Sequence, residues 1–336
     1  MIRTSRLLAS AALLATLCGP LLAQQSIPPA QQNVPAAPAE QTPAAPAPAT
    51  ELVFPKPDPA NFTAVTPSKE TVNAFLQVNW GYDEKRTWQV QAILKTPLEG
   101  YSKVVVFVGE KGSGTQKPQG MQFIVLPGGK HIISGDEILP FGAYPFADHR
   151  ELLKLLADGP YRGSASKDLE LVEFSDFQCP HCKDAQATTD KLLVDFPKAR
   201  IVYQNYPLTT IHPSALLAAE YGVCVAKLSS SSAFFIYANA VFDGQDGLAS
   251  SDGTTLTLNS AVTKAGLDPA KVSACAKTAV TQSNVQASIK LAQDLGINQT
   301  PTLLINGRQI PLGGMAYETL KQIVAFQAKL DGVATK

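Results

Sequence analysis

The stretch that most restricts what this chain can become is LELVEFSDFQCPHC, Leu169 to Cys182. Its first seven residues read as a buried strand, because a strand covered on both faces loses the usual alternation of apolar and polar positions. The segment that follows, PHCKDAQATTDKLLVDF, has helical texture and is stopped by Pro197. Cys179 therefore falls at a strand-to-helix turn. Pro180 takes the first helical position, where a missing N–H costs nothing. The unpaired amides and positive dipole of that helix start favour a thiolate at Cys179, and His181, when protonated, adds to the same stabilisation. A thiolate stabilised in the reduced state makes the disulfide a good oxidant. Cys182, one turn further in, is predicted to be shielded and to act as the resolving thiol. Two blander uses fit less well. A zinc site needs about four ligands and a lone C-x-x-C supplies two, and a purely structural bridge has no need of Pro-His at a helix start. The pattern calls for no metal and no cofactor.

Compartment decides what such a pair can do. Arg3 and Arg6, an apolar core from Leu7 to Leu17, and Leu21-Leu22-Ala23 have the layout of a secretory signal over 1–23, cut after Ala23. An uncleaved membrane anchor is the minor alternative, since Leu7 to Ala23 is barely long enough to span. Gly19-Pro20 and the Ala23-Gln24 junction favour cleavage. The mature chain then holds four cysteines, an even number for a periplasmic or otherwise exported, oxidising setting. Basic and acidic residues balance at 28 each, which leaves no electrostatic case for nucleic acid as a partner.

Composition divides the rest. Residues 24–67 are rich in Pro, Ala and Gln, cannot bury enough apolar surface to order themselves, and read as a disordered linker. Residues 68–146 read as a small α+β domain. Ser68 is placed to cap a helix containing Val72, Phe75 and Leu76, and about four strands follow, the last two joined across Pro127-Gly128-Gly129. Residues 147–158 form a linking helix. In 159–336 the order is strand, helix, strand, a helical stretch at about 208–295, then two strands turning at Asn306-Gly307 and a terminal helix. The fold class expected is α/β: a thioredoxin fold with a helical insertion, preceded by the small α+β domain.

Two motifs in this order, EFSDFQCPHC and GINQTPTLLINGR, resemble those of the DsbA-like branch of the thioredoxin superfamily, exported thiol:disulfide oxidoreductases; the resemblance covers 159 to the C-terminus. It implies that Glu173 lies beneath the active site and relays the proton of Cys182, which suits a buried carboxyl with a raised pKa. It implies that Thr300-Pro301 is a cis-proline loop opposite the cysteines, whose backbone pairs with a substrate strand. In related proteins two helices of the insertion are bridged, which implies a structural Cys224–Cys275 disulfide; a second redox-active pair is the alternative. His212 reads as a helix cap or a substrate contact, His131 and His149 as surface residues, and Phe174, Phe177, Phe234 and Phe235 as core.

Three functions follow as expectations. The first is an oxidase that exchanges its Cys179–Cys182 disulfide with unfolded or partly folded exported proteins and is reset by a membrane redox partner, DsbB-like or DsbD-like. The second is a dimeric isomerase or reductase, because the small domain loosely resembles, in element order alone, the dimerisation modules of DsbC/DsbG-type proteins. The third is a redox-silent chaperone or binding module.

Overall fold

The structure is a computed structural model that describes residues 52–112 and 117–335. The expected secretory signal of 1–23 and the expected linker up to residue 51 lie outside the described residues. The last part of the expected linker, 52–67, is not disordered. Asp58 caps a short 3-10 turn, Pro59–Asn61, by accepting from the Ala60 N–H at 2.9 Å. Phe62 then bridges Ile93, and the Ser102 hydroxyl donates to the Thr66 carbonyl. The physical reason is that Phe62 and Ala64 supply apolar surface that packs on the small domain's core, which composition alone did not register.

Helix α1 (Lys69–Trp80) starts at Ser68, whose side chain accepts from the Thr71 N–H. It lays Val72, Phe75 and Leu76 on an antiparallel meander of β1 (Arg86–Lys95), β2 (Ser102–Glu110), β3 (Gln119–Val125), β4 (His131–Ser134) and β5 (Glu137–Pro140). Alternate residues Val104, Val106, Phe123, Val125 and Ile132 close this core with Phe141. The meander has one strand more than the sequence suggests: Glu137–Pro140 is almost fully exposed, so it lacks the apolar alternation that marks a strand.

Helix α2 (Ala147–Leu156) leads into a second five-stranded sheet of order β10-β9-β7-β8-β6. Its strands are β6 (Tyr161–Gly163), β7 (Leu169–Ser175), β8 (Ala199–Asn205), β9 (Thr302–Ile305) and β10 (Arg308–Pro311). Central β7 runs parallel to β8 and antiparallel to β9, and all seven of its residues are buried. Leu169 and Leu171 face α3 (Pro180–Asp195) and α9 (Tyr317–Leu330), while Val172 and Phe174 face α2 and α8 (Ala279–Asp294). Between β8 and α8 the chain forms α4 (Ala215–Leu228), α5 (Ser231–Asp243), α6 (Ser251–Lys264) and α7 (Pro269–Ala276). These helices share a core in which Phe177, Phe234 and Tyr237 pack together. This is an α/β thioredoxin fold with a helical insertion. Cys224 on α4 and Cys275 on α7 form a disulfide that closes 51 positions.

The small domain's α1 meets the second sheet at the β9–β10 hairpin. Asn306 and Gly307 both have positive φ, 47° and 91°, as a two-residue hairpin turn of this hand requires. A side chain at Gly307 would strike the Phe146 carbonyl, 2.5 Å from an ideal Cβ. Beside the turn, buried Arg308 donates to the carbonyls of Val78 and Asn79 at 3.0 and 2.6 Å, satisfying the C-terminal end of α1. His149 is half-buried near this turn rather than on the open surface, and burial lowers its pKa.

Candidate active site

The site forms where β7 ends and α3 begins. Cys179 is the N-cap of α3 and Pro180 its first residue. The backbone N–H of Cys179 donates to Asp176 O at 3.1 Å, which closes the turn out of the strand. Thr300–Pro301, a cis peptide bond, faces it across the fold, and the Cys179 sulfur lies 3.6 Å from the Thr300 carbonyl oxygen.

The two sulfurs are driven in opposite directions. The neighbouring Cys182 thiol, which hydrogen-bonds it, lowers the Cys179 pKa to about 5, with help from the Thr300 side chain and the backbone amides of Cys182 and His181. Cys182, with no exposed surface, is pushed up by burial and by the charge on Cys179. Its sulfur accepts from the Asp176 N–H at 3.4 Å. His181 is exposed, and its observed contribution comes through its backbone amide. Both active-site thiols are free in this structure.

Glu173 is 1% exposed and lies beneath the pair on the same β7 face as Ser175. Burial raises its pKa to about 7, against the pull of Arg162, of the nearby Ser175 hydroxyl and of the hydrogen bond from Gln186. The Gln186 amide donates to the Glu173 carboxylate and to the Cys182 carbonyl, both at 3.2 Å. Cys224 and Cys275 are bonded to each other elsewhere, in the insertion. Among the described residues no group of His, Cys, Asp and Glu could hold a metal ion.

Sequence reasoning missed the residues that hold the turn in place. The buried Asp176 carboxylate accepts from Gln178 N and Leu208 N, each at 2.7 Å, and pairs with His212 Nδ1 at 2.9 Å. The His212 side chain is thus a partner of this carboxylate, because the β8–α4 connection folds back over the turn. Gln245, at the insertion's 3-10 turn, donates to the Phe177 and Cys179 carbonyls at 2.8 and 3.0 Å. Apart from the Gln178 bond, these join positions 32 to 68 apart, and no local pattern marks them.

Comparison with known proteins places this architecture. A family model described as Thioredoxin matches residues 156–325, half of the chain, and the chain belongs to that family. Among curated proteins, it is similar to the Na(+)/H(+) antiporter NhaA 3 of Salinispora tropica, 28% identical over 148 residues, covering 44% of this chain and 22% of that protein. NhaA 1 of Mycolicibacterium vanbaalenii is 30% identical over 149 residues, 44% of this chain and 23% of its own length. The chain thus spans under a quarter of the length of these relatives. Among solved structures, a thioredoxin-like oxidoreductase from Silicibacter pomeroyi is 24% identical, covers 54% of this chain and 98% of its own, and has a TM-score of 0.46. Oxidised BdbD from Bacillus subtilis is 22% identical, with 51% and 93% covered and a TM-score of 0.46.

Proposed function

We propose that the protein is an exported thiol:disulfide oxidoreductase that works as an oxidase on folding exported proteins. One observation carries the reading: Cys179 caps a helix with its pKa lowered to about 5, beside a peptide carbonyl only 3.6 Å away. A thiolate that is stable in the reduced enzyme makes the oxidised enzyme a strong donor. A substrate thiolate attacks the Cys179 sulfur of the enzyme disulfide and forms a substrate–Cys179 bond. The Cys179–Cys182 bond breaks, and Cys182 leaves as a thiolate that takes a proton from Glu173. The second substrate thiolate attacks the substrate sulfur of this mixed disulfide and expels Cys179 as its stable thiolate. The substrate loses two electrons and the enzyme gains them, so a membrane partner of the DsbB-like kind is needed to reoxidise the pair. Export rests on the leader-like residues 1–23.

Equilibration with glutathione redox buffers tests the direction. The oxidase reading requires a reduction potential above about −180 mV, and a value near about −270 mV would overturn it. The Cys182→Ser protein is also expected to accumulate covalent adducts with substrate, detectable by mass spectrometry.

A dimeric isomerase is a second reading, favoured by the small domain itself. Among the described residues its edge strand β5 pairs on one side alone, and Ile138 there is 67% exposed. Light scattering decides: a monomeric full-length chain that oxidises peptides and cannot unscramble a misbridged substrate removes this reading.

A further inference from the structure

Beneath Cys182 the odd-numbered residues of β7 and β8 face α3, and three of them, together with Gln186 on α3, carry buried polar atoms with no hydrogen-bond partner among the described residues. These atoms are Ser175 Oγ, Tyr203 Oη, Asn205 Oδ1 and Gln186 Oε1. Paired strands put Glu173 beside Tyr203 and Ser175 beside Asn205. Such a concentration of unsatisfied groups needs an explanation in a native core. The Ser175 hydroxyl is the common neighbour: it shares the β7 face of Glu173 and adjoins Asp176, whose N–H donates to the Cys182 sulfur at 3.4 Å, and it pulls against the raised pKa of Glu173, Cys182 and Tyr203 alike. Among the described residues the Glu173 carboxyl accepts its one direct bond from Gln186.

We propose that Ser175 is the proton relay between Cys182 and Glu173, so that the carboxyl acts on the buried thiol through this hydroxyl. The proposal rests on the assignment of Glu173 as the base and acid for Cys182. When Cys182 attacks a mixed disulfide on Cys179, its S–H proton passes to Ser175 Oγ while the Ser175 proton passes to the Glu173 carboxylate. The new Cys179–Cys182 bond forms as the Cys179–partner bond breaks, and the partner leaves as a thiolate. The reverse transfer protonates Cys182 when it is expelled. Tyr203 is fully buried, with Glu173 and Cys182 both raising its pKa, so it keeps its proton. The groups that set the field here are Glu173 and Ser175 on β7, Tyr203 on β8, Cys182, Gln186 and Asp190 on α3, Arg162 on β6, and Asp176 in the turn.

Stopped-flow reaction of the full, reduced protein with 5,5′-dithiobis(2-nitrobenzoic acid) separates the two thiols. The first release of nitrothiobenzoate reports attack by Cys179, and the second reports resolution by Cys182. For Ser175→Ala the first phase should match the parent, which also shows that the site is folded. Its second phase should slow by at least about tenfold, the low side of what general acid–base catalysis contributes. That phase should also lose its inflection near pH 7, and Ser175→Thr should restore part of the rate. A second phase within about twofold of the parent in Ser175→Ala, alongside a slow one in Glu173→Gln, overturns the relay while sparing the base. An unaltered second phase in Glu173→Gln overturns the base assignment and the relay with it. Equal slowing of both phases in Ser175→Ala marks a structural role and also overturns the proposal.

Discussion

Cys179 and Cys182 share a helix start, yet the first is drawn towards charge and the second away from it. With its pKa lowered to about 5, Cys179 is roughly half thiolate at pH 5, whereas Cys182 stays protonated. Iodoacetamide at pH 5 is therefore expected to label Cys179 faster by on the order of a thousandfold; equal rates in peptide mass maps would refute the assignment. Glu173 supplies a second expectation, about stability. Its folded pKa, raised to about 7, lies above the unfolded value, so the folded protein binds the extra proton. That destabilises the fold fully above about pH 7 and not at all well below pH 4. Glu173→Gln should thus raise stability at pH 8, by on the order of 2 kcal/mol, and change it little at pH 4, as urea unfolding at the two values would show. The cysteines, Glu173 and Thr300-Pro301 were legible as residues, since a helix-start C-x-x-C, a carboxyl inside an apolar strand and a Thr-Pro before a strand are local patterns. Asp176, Gln186, His212 and Gln245 were not. Each acts through a hydrogen bond whose partner is fixed only by the finished fold.

At the scale of elements, what was readable followed periodicity and punctuation. The seven-residue apolar run of β7, the capped α1 and the Asn306-Gly307 turn all announce themselves. The strands that do not are β5 and β6, short edge strands whose residues are largely exposed, so neither period 2 nor a buried run marks them. The 52–67 segment escaped for a different reason: Pro-rich composition predicts no core of its own, but these residues borrow one from the meander. In the insertion, α4 and α7 are tied at Cys224 and Cys275. Replacing both by Ala should lower stability by about 3–4 kcal/mol on the loop-entropy model, with thiol exchange at Cys179 retained. Guanidinium unfolding and an exchange assay on the same preparation check this, and loss of exchange in a folded double variant would make the bridge part of the chemistry.

For the molecule as a whole, Arg308 fastens the second sheet to helix α1 of the small domain. Its guanidinium is buried, its pKa is lowered to about 10 by that burial, and its acceptors are the last carbonyls of α1. A chain beginning at Tyr144 keeps the thioredoxin sheet and α2 but strips these acceptors away. It is expected to exchange thiols normally and to be less stable by on the order of 2 kcal/mol, the cost of an orphaned charged donor. Arg308→Met in the shortened chain should recover part of that loss in thermal unfolding, and no recovery would mean that the fastening lies elsewhere. The bridge in the insertion also bears on how each copy is manufactured. Cys224 has no exposed surface in the finished fold, so its oxidation has to precede the closing of that core. If the active pair donates disulfides as proposed, a newly made chain is also a customer for completed ones. The supply of mature protein then feeds its own production, and the first copies in a cell depend on some other oxidant.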